Sequence, residues 1–434
     1  MPQLCIGIAG AGLLGRLLAW RLARAGHRVS VFDPAPGPLP RFDGQQAAGF
    51  TAAGMLSPLA ELDNSSAEVA ALGWRSIALW RGIVAALPAR PHFAERGSLL
   101  LAHRSDAGAA QRVLARLARA APGTPQARAL TLPELAGLEP ALQGAAQAWL
   151  LPQEGQIDTV ATLNALYTAA ADVVWHWGTK VVAVAAGTLT LDAAPPQRFD
   201  LVFDVRGTGA RPELRVCGEA PGFTPRVRGR DAGFTPRVRG RDAGFTPLVR
   251  GRDVGFTPLV RGRDVGFTSL VRGRDVGFTS LVRGRDVGFT PLVRGVRGEI
   301  VWLHAPGHGL TRPVRLLHPR HRVYLVPRSG DTVLVGASEV ESEDRSPVSL
   351  RSAVELMAAA HSVMPSLAEA RIMRLDTNLR PALPDNAPRT EVAPGVVRIN
   401  GLFRHGWLLA PALVEDALHG CGLGVAGPLR EARA

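Results

Sequence analysis

A glycine-rich turn near the start of the chain is the sequence feature that most constrains its fold. The run LCIGIA over residues 4–9 is short and apolar, as a buried parallel strand would be, and helical spacing of apolar residues follows from residue 13. Between them lies GAGLLG, in which Gly10 permits a tight turn, Gly12 lets a phosphate group approach the backbone, and Gly15 lets helix and strand pack closely. The helix would present free N–H groups and a partial positive charge to the phosphate. This order predicts a dinucleotide-binding strand, turn and helix.

An acidic residue at the end of the second predicted strand supports this interpretation. The strand covers residues 28–33, and Asp33 stands 23 residues after Gly10, where its carboxylate can accept hydrogen bonds from the adenosine ribose. An acid at this position disfavours the 2′-phosphate of NADP but does not distinguish NAD from FAD. A glycine turn formed by chance is the alternative, and the agreement of strand, helix and acid argues against it.

A tandem repeat of 11 residues accounts for most of the net charge. Copies of GFTPLVRGRDV, with a few substitutions, begin at Gly222 and return every 11 residues as far as Gly288. The segment 222–297 holds 16 arginines and 6 aspartates, a net charge of +10 out of the total of +13, so the other 358 residues carry only +3. The basic balance therefore says little about the rest of the chain.

The sequence alone leaves three interpretations of the repeat open. Two glycines and often a proline in each unit oppose a continuous helix, so a loosely ordered surface insertion over residues 218–297 is favoured. The six RGRD blocks could instead form a basic arm that binds RNA or another polyanion, although nucleic acid is not the favoured partner. An arrayed β-structure is the third interpretation, because Phe, Leu and Val recur in register.

The residues outside the repeat predict one coherent α/β protein. Helices are expected over residues 65–87, from a capping box at 131–134, over 349–362 and over 409–418, and strands are expected within 299–336 and at 396–400. Three widely spaced cysteines, at positions 5, 217 and 421, exclude a disulfide scaffold and favour a cytoplasmic location. No uninterrupted apolar run of eighteen residues occurs, so no membrane association is expected.

Further sequence blocks resemble the D-amino-acid-oxidase-like flavoproteins, and the closest likeness is to the glycine oxidases of thiamine biosynthesis. The blocks follow the family order over almost the whole chain except 222–297. They are TAAGMLSP at 51–58, GQID at 155–158, FDLVFDVRGTGA at 199–210, YLVPR at 324–328, VGA at 335–337, LRP at 379–381 and GLFRHGWLLAP at 401–411. The repeat lies where such proteins have a short connection, as expected of an insertion into an intact domain.

The resemblance implies a fold and a cofactor. The expected fold is α/β, with a Rossmann-like FAD-binding domain, a discontinuous α+β substrate domain that places an antiparallel sheet over the flavin, and the 11-residue-repeat insertion. The FAD-binding domain is expected to combine residues 1–90, 155–217 and 375–425, and the substrate domain residues 91–154 and 298–374. The implied cofactor is a non-covalent FAD.

The resemblance also implies an activity. Such an enzyme oxidises a small amino acid, here glycine-like, to an imine that hydrolyses to the keto acid and ammonia, and oxygen reoxidises the flavin with release of hydrogen peroxide. The imine of glycine can feed thiazole assembly in thiamine biosynthesis, so thiazole synthase is an expected partner, and a homo-oligomer is expected. The alternatives are oxidation of sarcosine or a D-amino acid on the same fold, an NAD-dependent dehydrogenase, and a relic fold whose repeat binds a polyanion.

Three residues match the substrate-binding positions of the family. A carboxylate substrate needs a planar two-donor clamp, which arginine supplies and lysine does not. Arg380 in the LRP block matches the family's carboxylate-binding arginine, Arg404 matches a second active-site arginine, and Tyr324 matches a tyrosine whose hydroxyl helps to hold the substrate. Considered from position alone, each arginine could form a surface ion pair, and Tyr324 could be a core aromatic.

The resemblance assigns a further set of residues to the cofactor. Backbone N–H groups at the start of the last helix, from His405 to Ala410, would face the pyrimidine edge of the flavin, where negative charge collects on reduction. Val181 and Val182 resemble a family segment whose backbone touches adenine, and burial as plain core is the alternative for them. The predicted cofactor-binding residues are Gly10, Gly12, Leu14, Gly15, Asp33, Ala53, Gly54, Met55, Val182, Gly207, His405, Gly406, Trp407 and Leu408.

Two positions depart from the family pattern. Phe403 stands where relatives often have tyrosine or histidine, and Glu339 stands where glycine oxidases carry an apolar residue near the substrate. If the Glu339 side chain points inward, it could attract a substrate ammonium and change selectivity. The favoured interpretation is that it points outward as an ordinary solvated carboxylate. Four histidines between residues 304 and 321 lie near one another in sequence, but no metal site is expected, because acids or cysteines on a fixed face are missing from the pattern.

Overall fold

A computed structural model describes residues 2–63, 65–120, 125–211, 292–318 and 322–424, together with short strands between residues 226 and 283. The chain divides into two units. The first combines Met1–Ala210 with Leu292–Ala434, and the second is Arg211–Pro291. The large sheets and the candidate site all belong to the first unit.

The glycine-rich turn follows a strand of a six-stranded sheet. In spatial order its strands are Arg389–Ala393, Val396–Asn400, Leu201–Asp204, Cys5–Ala9, Arg28–Asp33 and Val174–Trp177. The last five pair in parallel, and the first pairs antiparallel at the edge. Cys5–Ala9 lies inside the sheet, with neighbours on both sides, as its continuous apolar sequence predicts.

Four helices share one apolar core with this sheet. They are Leu13–Arg24, Ala67–Ala86, Thr159–Thr168 and Gly406–Gly420. Trp80 and Trp407 stack inside this core with ring centroids 5.4 Å apart, and Trp80 Nε1 donates to the Trp407 carbonyl at 2.8 Å. A buried indole N–H usually has such a partner. The contact fixes the helix Gly406–Gly420, whose first turn belongs to the candidate site.

The helix Ala67–Ala86 is the one helix among the described residues that is long and apolar enough to cross a membrane, judged by length and composition. In this structure Ile77 and Trp80 are buried in the core, while Arg75 forms an ion pair with Asp416. An apolar face in the core and charged groups on the surface are typical of a packed helix.

An eight-stranded sheet forms the second layer of the first unit. Its spatial order is Arg371–Ala382, Arg294–His304, Thr332–Gly336, Arg322–Arg328, Val314–Leu317, Ser98–Ala102, Gln147–Leu151 and Arg128–Leu130. All neighbours pair antiparallel except Val314–Leu317 and Ser98–Ala102, which are parallel. The antiparallel strands predicted within residues 299–336 are confirmed.

The edge of this sheet departs from the expected domain boundaries. Arg371–Ala382 pairs along its length with Arg294–His304, although the boundary at residue 375 assigned most of it to the FAD-binding domain. The strand Arg294–His304 also begins before residue 297, the expected end of the insertion. The sequence RIMRLDTNLRPA lacks the alternation of apolar and polar residues that would reveal which sheet it joins.

Shorter elements complete the first unit. One three-stranded sheet contains Met55–Leu56, Gly155–Ile157 and Phe93–Ala94. A second three-stranded sheet contains Val181–Ala185, Thr188–Leu191 and Gln197–Arg198. The other α-helices are Pro58–Glu61, Ala107–Ala120, Leu132–Leu138 and Leu350–Val363, and the 3-10 helices are Ala48–Phe50, Arg104–Asp106, Gly207–Ala210, Pro365–Glu369 and Phe403–His405.

The predicted helix ends agree with the structure in most places. The capping box is confirmed, because the Thr131 hydroxyl accepts from the Glu134 backbone N–H and the Glu134 carboxylate accepts from the Thr131 N–H. The last helix begins at Gly406, not at residue 409 as its apolar pattern predicts but next to residue 405, where the family resemblance places its start. A glycine at the first position, with no capping side chain before it, hides this helix start in the sequence.

The described strands of the second unit pair in parallel across two repeats. Arg226–Arg228 pairs with Leu248–Arg250, which pairs with Leu270–Arg272, and the short Gly-Phe strands pair in the same way. Partners are 22 residues apart, so two 11-residue units make one structural period. Within the described strands, this pairing is the one that an arrayed β-structure predicts. The RGRD blocks lie partly, and Cys217 wholly, outside the described residues.

Candidate active site

One cavity of about 460 Å³ is lined by residues of both large sheets. Asp33, Val205 and Asn400 line it from the carboxyl ends of the parallel strands, and Tyr324 and Leu379 line it from the eight-stranded sheet. The carboxyl ends of parallel strands are where open α/β sheets bind their ligands. The cavity therefore lies where the glycine-rich turn predicts a nucleotide.

The three glycines of the turn have distinct physical roles. Gly10 has a φ of +105°, and a Cβ there would lie 2.8 Å from the Val205 carbonyl oxygen. A Cβ at Gly15 would lie only 1.9 Å from the Gly10 carbonyl oxygen, so this glycine permits close helix packing. Gly12 lines the cavity, and its nearest neighbour would be Ala47 Cβ at 3.4 Å. Gly12 is thus the position where a ligand can approach the backbone.

Asp33 fixes the turn and faces the same cavity. Its Oδ2 accepts from the Ala11 N–H at 2.7 Å, and its Oδ1 accepts from the Ala35 N–H at 2.9 Å. Each carboxylate oxygen has a second lone pair. The residue can therefore hold the turn and still accept hydrogen bonds from ribose hydroxyls.

Val181 and Val182 are the two residues whose backbone is predicted to touch adenine. Val181 lines the cavity, and Val182 does not. The Val181 carbonyl accepts from Arg206 Nη1 at 2.8 Å, and Arg206 is also paired with Asp204 at 2.7 Å. The adenine contact assigned to Val182 is made by its backbone and stays a prediction.

A glycine-containing loop and a helix start both line the cavity. Gly54 has a φ of +66°, and a Cβ there would lie 2.2 Å from the Ile157 carbonyl oxygen. Trp407 Nε1 donates to the Gly49 carbonyl at 3.0 Å, which holds the loop against the last helix. The first N–H groups of a helix have no acceptor inside it and carry a partial positive charge. The predicted lining residues here are Ala53, Gly54, Met55, His405, Gly406, Trp407 and Leu408, and all of them line the cavity.

The structure brings nearly all the predicted site residues together. Leu14 and Gly207 also line the cavity, as do Arg380, Arg404 and Tyr324. Gly15 and Val182 are the predicted residues that do not. Gly15 acts through helix packing.

Arg380 offers an edge of its guanidinium as a two-donor fork. Its Nη1 and Nη2 each donate to the Ser338 carbonyl at 3.1 Å, and Nη1 also lies 3.3 Å from the Arg297 carbonyl. Within the described residues this leaves the Nε hydrogen and one Nη2 hydrogen, which lie on one edge of the plane. A Cβ at Gly298 would lie 2.4 Å from Arg380 Cζ, so glycine is needed beneath the guanidinium. The free edge has the geometry that binds a carboxylate bidentately.

Tyr324 lies over a second glycine of the same sheet. A Cβ at Gly336 would lie 2.5 Å from the Tyr324 hydroxyl oxygen. Burial raises the pKa of Tyr324, although Arg380, Arg315 and Arg328 oppose the shift. The hydroxyl therefore stays protonated near neutral pH and can donate a hydrogen bond to a substrate.

A buried carboxylate that the sequence analysis missed joins three basic side chains. Glu61 is 7% exposed, its Oε1 accepts from Arg315 Nη2 at 2.8 Å, and its Oε2 lies 2.8 Å from Arg404 Nη2. His405 Nε2 lies 2.9 Å from the same Oε2 and 3.2 Å from Arg404 Nε, so its tautomer decides which group it bonds. Burial alone would raise the pKa of Glu61, but Arg315 and His405 outweigh it and lower the pKa to about 2.

Glu339 lines the cavity and is engaged by arginines. Its Oε2 lies 3.2 Å from Arg322 Nη1 and 3.6 Å from Arg404 Nη1, and the side chain is half-exposed. The favoured expectation, a free solvated carboxylate, is therefore wrong in part, because the group is exposed but paired. The pairing leaves less of its charge to attract an ammonium.

Weak sequence signals marked two of the missed residues. Arg315 is the one charged residue in the short strand VRLL, and a charge in an apolar strand needs a buried partner. Glu61 ends the short helix PLAE shortly after the predicted flavin-binding loop. Neither position identifies its partner, because the pair is separated by 254 residues.

The comparisons with known proteins agree with this geometry. The family model described as DAO, FAD dependent oxidoreductase, matches residues 6–226 and 275–416. The chain belongs to this FAD-dependent oxidoreductase family. The unmatched residues between the two parts lie inside the tandem repeat.

One curated protein and two solved structures illustrate what this FAD-dependent oxidoreductase is similar to. A protein of Rhizobium etli named as a thiamine biosynthesis oxidoreductase, ThiO, is 30% identical over 410 residues, which is 94% of each chain. Glycine oxidase from Geobacillus kaustophilus has a TM-score of 0.70 at 22% identity, with 100% of both chains covered. Glycine oxidase from Bacillus cereus has a TM-score of 0.68 at 16% identity, with 97% and 95% covered. At these identities the two structures show a shared fold.

The residues of this oxidoreductase fit FAD, the cofactor of its family. The open face of Gly12 and the helix that follows it suit a pyrophosphate, and the Asp33 carboxylate suits a ribose. The loop at 53–55 and the helix start at 405–408 line the same cavity as Tyr324 and Arg380. One cavity thus joins the nucleotide-binding residues to a carboxylate-binding arginine.

The acid stability of this oxidoreductase should depend on Glu61. Its folded-state pKa of about 2 lies below the ordinary value of 4.5, so the ionised group stabilises the fold above about pH 4.5 and loses that effect as the pH falls towards 2. Glu61→Gln should lower the free energy of unfolding by about 3 kcal/mol at neutral pH and by less at pH 3. Urea unfolding at several pH values would measure this.

A matched control for Glu61 is an exposed glutamate. Glu369 is 90% exposed, so Glu369→Gln should leave the unfolding curve nearly unchanged at every pH. A difference between wild type and Glu61→Gln that stayed constant from pH 7 to pH 3 would contradict the predicted linkage. It would mean that Glu61 stabilises the fold by packing and not by charge.

Proposed function

We propose that this chain oxidises a small amino acid such as glycine to an imine, which hydrolyses to the keto acid and ammonia, while oxygen is reduced to hydrogen peroxide. The observation that carries this proposal is the free edge of Arg380 in the same cavity as the FAD-binding residues. A fork of two donors beside a tyrosine hydroxyl suits the carboxylate of an amino acid. The names of the relatives support the same substrate class.

The residues of the chain have defined tasks in this reaction. Bound FAD supplies the two-electron acceptor that oxidises the C–N bond and passes the electrons to oxygen. Arg380 and Tyr324 hold the substrate carboxylate and so fix the position of Cα, which removes most of the orientational freedom that a bimolecular reaction must lose. The partial positive charge at the start of Gly406–Gly420 favours negative charge placed near it. Glu61 stays ionised and keeps Arg404 in position.

An anaerobic titration tests this proposed function. The purified full-length protein should show a visible flavin band, and glycine added without oxygen should bleach it. Acetate, which carries the carboxylate but no amine, should perturb the band without bleaching it. A flavin band that ignores glycine, sarcosine and D-alanine alike would contradict the proposal. If no flavin is bound, deletion of 222–297 would separate a site disturbed by the repeat from a wrong assignment.

The biological setting is part of the same proposal. The likeness to the ThiO protein supports a role in thiamine thiazole synthesis, in which a thiazole synthase would consume the imine of glycine. The homo-oligomeric state and the cytoplasmic location stay predictions from the sequence. Polyanion binding by the repeat stays a prediction as well, and a gel-shift assay with and without residues 222–297 would test it.

A further inference from the structure

An irregular segment lines the cavity beside the glycine-rich turn. Residues 38–47, which we call the strap, contain no helix or strand. Three residues of the strap, Gln45, Gln46 and Ala47, line the cavity. Ala47 Cβ lies 3.4 Å from the point where a Cβ on Gly12 would be. The strap therefore lies against the position assigned to the pyrophosphate of FAD.

A cation–π cluster fastens the strap to the eight-stranded sheet. The Arg374 guanidinium carbon lies 3.4 Å from the centroid of the Phe42 ring and 4.2 Å from that of the Trp302 ring. The two ring centroids are 5.9 Å apart in an edge arrangement. Arg374 Nε also donates to the buried Asp376 carboxylate at 2.7 Å, which fixes the guanidinium from the sheet side. We call Phe42, Trp302 and Arg374 the latch.

Hydrogen bonds to backbone carbonyls fasten the strap at further points. Asn378, in the edge strand of the eight-stranded sheet, donates from Nδ2 to the Gln46 carbonyl at 3.2 Å. Arg16, in the helix that follows the glycine-rich turn, donates from Nη2 to the Pro38 carbonyl at 2.7 Å. The strap is thus bonded both to the helix of the nucleotide-binding turn and to the eight-stranded sheet.

The side chain of Gln46 connects the latch to the cavity. Its Oε1 accepts from the backbone N–H groups of Arg41 at 2.8 Å and Phe42 at 3.1 Å, which fixes the orientation of the amide. The other end of the amide, Nε2, is buried and has no hydrogen-bond partner among the described residues. A buried donor without an acceptor is rare in a folded protein. Because Gln46 lines the cavity, a bound molecule can supply the acceptor.

We propose that the strap closes over bound FAD, that the latch holds it closed, and that Gln46 Nε2 donates a hydrogen bond to the diphosphate of the cofactor. The inference concerns the cofactor, so it goes beyond the proposed function and holds whichever amino acid is oxidised. Phosphate oxygens carry negative charge, and hydrogen bonds to charged acceptors are about twice as strong as those between neutral groups. Phe42 is a positioning residue in this arrangement, because its backbone orients Gln46 while its ring belongs to the latch.

The rates of FAD binding and release test the latch. A closed strap must open for FAD to enter and to leave, so Phe42→Ala should raise both rate constants by about fivefold through loss of the cation–π contact. Stopped-flow flavin fluorescence measures binding to the apoprotein, and release is followed after dilution of the holoenzyme. Unchanged rates would overturn the latch. Faster release with unchanged or slower binding would overturn it as well, because that result indicates a lost contact to FAD.

A second variant at the latch guards against a folding defect in the first. Arg374→Lys keeps a positive charge for Asp376 but loses the planar group that stacks on the rings, so both rates should rise by a smaller factor. Arg24→Gln is the matched control. Arg24 Cζ lies 5.3 Å from the Trp20 ring centroid, and neither residue lines the cavity. If this control raised the rates as much as Phe42→Ala, a general loosening of the fold would explain both results and the latch would be overturned.

The contact from Gln46 to the diphosphate has its own test. Gln46→Glu keeps an acceptor for the two strap N–H groups and replaces the Nε2 donor with a carboxylate oxygen. Fluorescence titration of the apoprotein at neutral pH should give a Kd for FAD that is higher by at least about tenfold, because a hydrogen bond to a charged group is lost and two negative groups meet. A wild-type Kd would overturn the contact.

The matched control for this charge change lies outside the cavity. Gln3 is exposed, its Nε2 donates to the Gly26 carbonyl at 2.9 Å, and it does not line the cavity. Gln3→Glu makes the same change in net charge and should keep the wild-type Kd for FAD. An equal rise in both variants would show an effect of net charge alone, which would overturn the assignment to Gln46.

Discussion

Replacing Arg380 with methionine should lower kcat/KM for the amino-acid substrate by about a thousandfold. Methionine keeps much of the side-chain length but removes the charge and the two donors on the free edge of the guanidinium. Two charge-assisted hydrogen bonds contribute about 1.5–3 kcal/mol each, so their loss corresponds to roughly 4 kcal/mol of transition-state binding. Steady-state kinetics, with the bound flavin measured in parallel, would check the result. The flavin content should stay close to that of the wild type.

Two further variants test whether the fork, and not only the charge, is needed. Arg380→Lys keeps the positive charge without a planar pair of donors and should recover only part of the lost kcat/KM. Gly298→Ala keeps Arg380 but places a methyl group where its Cζ would be 2.4 Å away, so the guanidinium must move and kcat/KM should fall. An Arg380→Met enzyme with nearly normal kcat/KM would show that the substrate carboxylate binds elsewhere.

Alanine at Gly12 and at Gly15 should abolish FAD binding for different reasons. A methyl group at Gly12 has ordinary contact with Ala47 Cβ at 3.4 Å, so the fold should survive while the methyl blocks the close approach of the pyrophosphate. A methyl group at Gly15 would lie 1.9 Å from the Gly10 carbonyl oxygen. The helix Leu13–Arg24 must then shift away from the turn, with a loss of about 3 kcal/mol or more of folding stability.

Flavin content and thermal unfolding distinguish the two variants. Gly12→Ala should purify without flavin and unfold near the temperature of the wild-type apoprotein. Gly15→Ala should also lack flavin and should unfold at a clearly lower temperature. Gly37→Ala is the control, because a Cβ there has no neighbour within 4 Å, and it should behave as wild type. A Gly12→Ala protein with a full complement of FAD would contradict the assigned pyrophosphate position.

The contacts that are local in sequence could be predicted from the sequence. The turn at residues 10–15 and Asp33 lie within one strand–helix–strand unit, so their spacing alone predicts their meeting. The capping box at Thr131 and Glu134 is local in the same sense, because both hydrogen bonds join residues three apart. The resemblance to a known family added Arg380, Arg404 and Tyr324, which lie far from that unit along the chain.

Only the tertiary structure decided how the charges of the site are paired. Glu61 meets Arg315 across 254 residues and His405 across 344, so nothing near any of them in sequence shows the partner. The sequence alone determined the nucleotide-binding turn, because its geometry depends on neighbouring residues. The electrostatics of the site were decided by the fold, because burial and long-range pairing determine which charged side chains meet.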